Sequence, residues 1–230
     1  MSVLHNSRQM VIPPLLSVRT QAPRSAGAVL PWYRAGGAPL PVAAYLAKGA
    51  ASYAASKINL AQFGTYDAVD GANPLGWTSA GWSNDGNLAT LKWLNTGIVP
   101  STTWAMMIAY SGTGTADHTL CGIRNGGNFE LWHISGGASY YANGALRSTP
   151  LLNSGTLGFA EKSTYRNGVP DTAIGAGAFS SALPIFIGGT NNGTTLQFPF
   201  KGTITAWVIW SSTSGHATWM PAVSAAMAAL

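Results

Sequence analysis

Six dipeptides constrain this chain more than any other feature: Asn-Gly at 125–126, 143–144, 167–168 and 192–193, and Asp-Gly at 70–71 and 85–86. Such pairs take up positive φ at low cost and are the strongest short-range markers of a β-hairpin. The apolar segments they separate are predicted as strands: Leu88–Ile98, Thr103–Tyr110, Thr119–Arg124, Asn128–Ile134, Ser139–Ala142, Thr156–Arg166, Pro184–Gly188 and Leu196–Trp210. In Thr103–Tyr110, Trp104, Met106, Ile108 and Tyr110 share one face, and Thr103, Ala105, Met107 and Ala109 the other. Strands joined by tight turns, with no helices between them, fold as an antiparallel sandwich or jelly roll.

The last predicted strand adds a requirement. Thr203, Thr205, Trp207 and Ile209 face one way, and Ile204, Ala206, Val208 and Trp210 the other. Large apolar groups on both faces need cover on the outer one, from the N-terminal segment, an Ala-rich stretch or a partner.

That N-terminal segment differs in character from the rest. Before Asp67 the chain holds Arg8, Arg19, Arg24, Arg34, Lys48 and Lys57 but no acidic residue, so the net charge of +5 belongs to it. Prolines 13, 14, 23, 31, 39 and 41 break helix in residues 1–42. Val11, Ile12, Trp32 and Tyr33 are more apolar than a free linker needs, so residues 1–42 read as an extended arm that lies on a surface. Its scattered arginines suit an acidic protein surface better than nucleic acid. Residues 43–60 are Ala-rich and form a lead-in with helical propensity, in which Ser52 can cap a short helix. A second short helix is predicted over Thr218–Ala229, capped by Thr218 with Pro221 in its first turn. The sandwich proper takes 61–230.

Most chemistry is argued against by what the sequence lacks. Cys121 is the sole cysteine and reads as a small core residue, so no intrachain disulfide forms. The N-terminal residues do not read as a signal peptide, since their apolar run Met10–Val18 is broken by Pro13-Pro14, and no stretch reaches the ~20 apolar residues of a membrane span. Glu130 and Glu161, the two glutamates, have no acidic neighbour at strand spacing, as paired glycosidase carboxylates would. The histidines and Cys121 show no zinc spacing, no G-x-S-x-G elbow occurs, and the glycine runs at 112–117 and 175–180 lack a dinucleotide fingerprint. The expectation is no enzyme, no cofactor and no metal. Asp85 and Asp117 are the loop carboxylates closest to a calcium-site pattern, and each lacks the further oxygens such a site wants.

Several segments resemble the laminin-G-like, concanavalin-A-like domains. Gly81-Trp-Ser-Asn-Asp-Gly86, running into Leu91-Lys-Trp-Leu-Asn-Thr-Gly-Ile98, is similar to their opening strands. Tyr165-Arg-Asn-Gly-Val169, Pro184-Ile-Phe-Ile-Gly-Gly189 and Phe200–Trp210 resemble later strands in the same order, and Met220–Leu230 resembles the terminal tail. The resemblance covers roughly 60–230, and the lead-in at 43–67 is similar to those of such domains in tailed-phage structural proteins. It implies an all-β concanavalin-A-like jelly roll in a virion, assembled in the host cytoplasm as a capsid decoration or appendage subunit.

Two functional expectations follow. In the first, Arg8, Arg19, Arg24, Trp32, Tyr33 and Arg34 anchor the arm to capsid or tail proteins, and the sandwich projects outward and can self-associate. In the second, the sandwich recognises surface glycans, as the receptor-binding part of a fibre. Trp82, Trp93, Trp104, Trp207 and Trp210 read as core, which leaves Trp77, Tyr140, Tyr141 and Trp219, nearer turns and ends, as the candidate sugar contacts. Neither expectation involves direct nucleic-acid contact or membrane insertion.

Overall fold

A computed structural model of the chain describes residues 31–112, 117–134, 138–193 and 195–230, with backbone alone at His133 and Ile134. In chain order its strands begin β1 Ala43–Leu46, β2 Val69–Asp70, β3 Gly76–Thr78, β4 Gly81–Asp85, β5 Leu94–Asn95 and β6 Ala105–Ser111. They continue β7 His118–Arg124, β8 Asn128–Ile134, β9 Ala138–Asn143, β10 Ala145–Pro150, β11 Ser154–Ala160 and β12 Ser163–Arg166. The last are β13 Val169–Pro170, β14 Phe186–Ile187, β15 Thr190–Asn191, β16 Leu196–Gln197 and β17 Lys201–Trp210. A 3-10 segment, Trp32–Gly37, and two helices, α1 Tyr53–Ser56 and α2 His216–Ala228, complete the described elements.

The strands form two sheets. The first runs β13-β12-β11-β6-β17-β4-β3, with β1 beside the far half of β17; the second runs β10-β9-β8-β7-β14-β5-β2, with β15 and β16 joined at β7. The expected all-β sandwich is the observed fold. Nearly all pairings are antiparallel; the short β15 lies parallel to β7.

Alternation places the core as the sequence predicted. Met106, Ile108 and Tyr110 of β6 and Trp207 and Ile209 of β17 face Cys121, Phe129, Leu131 and Tyr141 of the second sheet. Trp207 donates its indole N–H to Cys121 Sγ at 3.3 Å and stacks on Tyr45 at 5.5 Å. Burial pushes the Cys121 thiol up to about 12, so it stays protonated and inert at neutral pH.

Ala105, Met107 and Ala109 of β6, with Ala206, Val208 and Trp210 of β17, form a second apolar layer on the outer face of the first sheet. A bulge between Ile204 and Ala206 puts Ile204 in the inner core, against strict alternation. The cover comes mainly from α2, through Trp219, Met220, Val223 and Met227, with Tyr33 of the 3-10 segment beside them. This helix begins earlier than predicted. Gly215, at φ 72 and with no side-chain cap, takes the place assigned to Thr218, so Pro221 falls inside the helix.

Four further predictions are corrected. The Ala-rich lead-in opens as strand β1, because its backbone pairs with Ala206–Ile209 of β17; helix is confined to Tyr53–Ser56, where Ser52 Oγ does accept the Ala55 N–H. Thr156–Arg166 is a hairpin rather than one strand, turning at Glu161 with φ 52. Leu196–Trp210 breaks at Phe198, with φ 49, and of Leu88–Ile98 only Leu94–Asn95 is strand.

Asn59 ties the lead-in to the sheet. Its fully buried amide accepts the Ala44 and Ala61 N–H groups and donates to the Val42 and Thr65 carbonyls at 2.8–3.1 Å. A buried backbone group without such a partner costs about 1–3 kcal/mol, which explains an amide at this position.

Candidate functional site on the open face of the second sheet

The outer face of the first sheet lies under α2, whereas among the described residues no helix crosses the outer face of the second. Strand register fixes what that face carries. Phe129 and Leu131 of β8 point inward, so Glu130 and Trp132 point outward, opposite Ala142 and Tyr140 of β9. On the other side of β8, Gly122 lies opposite Glu130 and Thr119 opposite Trp132, which sets Arg124 on the same outward face.

These residues build one constellation. The Arg124 guanidinium sits in the notch between two rings, 3.8 Å from the centroid of Trp132 and 4.5 Å from that of Phe198. The rings lie 6.0 Å apart, and Tyr140 packs on Trp132 at 5.6 Å. Beneath them Glu130 is fully buried, accepting from Arg124 Nε at 3.0 Å and from the Thr190 hydroxyl at 2.9 Å. Burial pushes the Glu130 carboxyl above its ordinary range, and Arg124 and Thr190 pull it part of the way back.

Nε alone of the guanidinium meets Glu130, and the remaining edge is less well served. Arg124 Nη2, Trp132 Nε1 and Thr119 Oγ1 are buried without a hydrogen-bond partner, all on this one patch. Arginine and indole nitrogens can only donate, so the patch calls for acceptor oxygens beside the half-buried Tyr140 and Phe198 rings.

Phe198 holds its place at a backbone cost. Its φ of 49 lies in the left-handed region that bulky residues avoid, and strain of this kind clusters at functional sites. Its carbonyl accepts the Thr119 N–H at 2.8 Å, which pins it to β7. Phe198→Gly and Phe198→Ala remove the same ring, but glycine takes up this φ freely. Phe198→Gly is therefore expected to be the more stable of the two by about 1 kcal/mol in urea denaturation; the reverse order would show that the backbone is unstrained.

The candidate sugar contacts separate on this geometry. Tyr140 is half-buried on the open face and belongs to the constellation. Tyr141, its neighbour along the strand, points inward, is 0% exposed, and sets its hydroxyl 3.2 Å from the Tyr165 carbonyl. Trp219 is 2% exposed, packs on Trp210 at 4.7 Å, and is a core residue of the helix layer. Trp77 lies on the edge strand β3, half-buried against the core, with its N–H given to the Ala47 carbonyl at 3.0 Å. Neither Tyr141 nor Trp219 is a surface contact; strand alternation and the helix cover decide both.

Of the anchoring residues, Arg8, Arg19 and Arg24 lie outside the described residues. Trp32, Tyr33 and Arg34 form the 3-10 segment rather than extended chain. Tyr33 donates to the Leu60 carbonyl at 2.9 Å, Trp32 sets its ring edge-on to Tyr33, and Arg34 Nε donates to Ala38 O at 3.1 Å. The segment meets α2 so closely that a Cβ on Gly36 would come within 2.6 Å of Ala222 Cβ.

The remaining carboxylates are dispersed. Asp85 binds Lys92 at 2.7 Å, which holds its carboxyl below the usual range, and Glu161 accepts from Thr213 at 2.7 Å. No three His, Cys, Asp or Glu side chains converge among the described residues. No described helix is long and apolar enough to cross a membrane.

Of Arg124, Glu130, Trp132 and Phe198, only Glu130 was weighed from the sequence, and then as a glycosidase carboxylate. A usable signal for the first three was the Asn125-Gly126 turn, since it folds Arg124 and Glu130 onto neighbouring strands with their side chains on one face.

No family profile matches the chain, and no curated protein does. Solved structures do. Trypanosoma rangeli sialidase in complex with 2,3-difluorosialic acid aligns at TM-score 0.53 and 12% identity, over 81% of this chain and 33% of that one. Its complex with 2,3-difluoro-KDN aligns at 0.51 and 14%, over 90% and 35%. The CBM40 of Ruminococcus gnavus IT-sialidase, bound to α2,3-sialyllactose, gives 0.42 and 20%, over 53% and 81%. This chain thus spans about a third of the Trypanosoma enzyme, and at such identities the likeness is one of fold. No virion protein stands among these three, so the phage setting implied by the motifs gains nothing from them.

Proposed function

We propose that the chain is a glycan-binding module that takes its ligand on the open face of the second sheet. The observation that carries this reading is the Arg124 guanidinium held in the Trp132–Phe198 notch beside Tyr140, with unpaired donors at Arg124 Nη2 and Trp132 Nε1. A sugar ring offers the complement, namely an apolar C–H face for the aromatic rings and hydroxyl oxygens for the donors.

Binding without hydrolysis is part of the proposal. Supporting it, Glu130 is fully buried and committed to Arg124 and Thr190, while Glu161 belongs to the β11–β12 turn of the other sheet and accepts from Thr213. A glycosidase needs two carboxyl groups flanking one bond, at about 5–10 Å depending on mechanism.

A glycan array carrying neutral and acidic oligosaccharides tests the reading on the full chain. Tyr140→Ala is expected to weaken the best hit by about ten-fold or more, near 1.4 kcal/mol. Its melting temperature should change little, because the ring is half-exposed on a sheet surface. A blank array, or full binding by the Tyr140→Ala protein, would overturn the proposal.

A further inference from the structure

Phe198 borders a second feature that the constellation does not use. Phe198 also lines a cleft of about 470 Å³, bounded by Leu88, Asp117, His118, Leu196, Gln197 and Pro199 along with Phe198 itself. That volume lies within the range of small-molecule sites, roughly 300–1,000 Å³. The walls are mixed in a particular way. Leu88, 60% exposed, and Phe198 offer apolar surface, while Asp117 and Gln197 offer an exposed carboxylate and a half-buried amide.

The His118 ring lies against the wall behind the cleft, with Nδ1 2.7 Å from the Pro199 carbonyl. A carbonyl can only accept, so that nitrogen carries the proton. Gly86 makes room for the ring, since a Cβ there would come within 3.1 Å of His118 Cε1.

Resting on the glycan-binding reading, we infer that the ligand is an oligosaccharide spanning both places, with one sugar unit over Arg124, Trp132 and Tyr140 and a further unit in the cleft that Phe198 lines. The junction is fixed in advance. Phe198 is the residue common to both, and its carbonyl is tied to β7 through Thr119. Ligand units in the two places therefore meet a preset spacing and lose little further freedom on binding the second. The cleft suits a sugar better than a purely apolar or purely ionic group: an apolar one would leave Asp117 unpaired, and an ionic one would lie against leucine and phenylalanine.

The test is calorimetric titration of the full chain with three series: N-acetylglucosamine, chitobiose and chitotriose; galactose and lactose; sialic acid and sialyllactose. In at least one series the longer sugar is expected to bind about ten-fold or more tightly than its monosaccharide. The double variant Leu88→Ser with Asp117→Asn should remove that gain and leave monosaccharide affinity unchanged. Both positions are exposed, so the fold should tolerate the changes. Equal affinities along every binding series, or a gain that survives the double variant, would overturn the two-place ligand and leave the glycan-binding reading standing. Absence of binding by every probe would overturn both.

Discussion

A chain stopped after Gly215, and so lacking α2, is expected to collect as aggregate or as a species that binds hydrophobic dye. The helix is the main cover of Val208, Trp210 and Met107 on the outer face of the first sheet. Trp210 and Trp219 each bury on the order of 150–250 Å², worth about 4–6 kcal/mol apiece at ~25 cal/mol/Å² as an upper figure. Losing both contributions is comparable to the whole stability of a domain, about 5–15 kcal/mol. The single change Trp219→Ala should lower stability by about 3–5 kcal/mol without preventing folding. Sedimentation velocity and urea denaturation check the pair of expectations. A truncated chain that sediments as a monomer and unfolds as the intact one does would show that the helix is dispensable.

Arg124→Met should cost about 3–5 kcal/mol, because it leaves the Glu130 carboxylate buried without its cation. The pH dependence identifies the cause. Burial already raises the Glu130 pKa in the folded chain, and removing Arg124 takes away the group that pulls it down. A carboxyl with a raised folded pKa is bound to its proton more tightly in the native state than in the unfolded one. It therefore favours folding most at acid pH, and stability falls as pH rises from the ordinary carboxylate range through the raised value. The Arg124→Met protein should lose more stability than the parent as pH rises above the ordinary carboxylate range. Adding Glu130→Gln should flatten that slope and recover part of the loss. Equal slopes in parent and single variant would mean that the ion pair carries no such weight.

The hairpin markers explain why much of the fold was legible. Asn143-Gly144 joins β9 to β10, and Asn167-Gly168 joins β12 to β13. The period-two pattern of Thr103–Tyr110 correctly divided inner from outer residues, because β6 packs on both faces. Asp70-Gly71 and Asp85-Gly86 turned no hairpin. Their carboxylates are instead drawn into ion pairs with Lys57 and Lys92, both at 2.7 Å. Glu161 and Phe198 break predicted strands at residues that carry no turn signal, since tertiary pairing forces their positive φ.

The candidate site was less visible, for a related reason. Tyr140 and Tyr141 are chemically equivalent neighbours, and only strand register tells which one meets solvent. Trp219 looked peripheral because it lies close to a chain end, yet the helix carries it onto Trp210. Glu130 looked idle as a catalytic group without an acidic partner. Its true partner is the arginine across the hairpin, a pairing that a search for carboxylate pairs passes over.

The position of β17 has a consequence for how the molecule is made. It is the final strand in the chain, yet it lies inside the first sheet, with β6 on one side and β4 and β1 sharing the other. On the ribosome, β1, β4 and β6 emerge well before β17 and wait unpaired on that side until residues 201–210 have been synthesised. Closure then depends on contacts between distant parts of the chain, which slows folding and lengthens the exposure of aggregation-prone edges. Refolding from denaturant should accordingly be limited by the docking of residues 201–210, and a nascent chain stalled before Lys201 should need a chaperone to stay in solution.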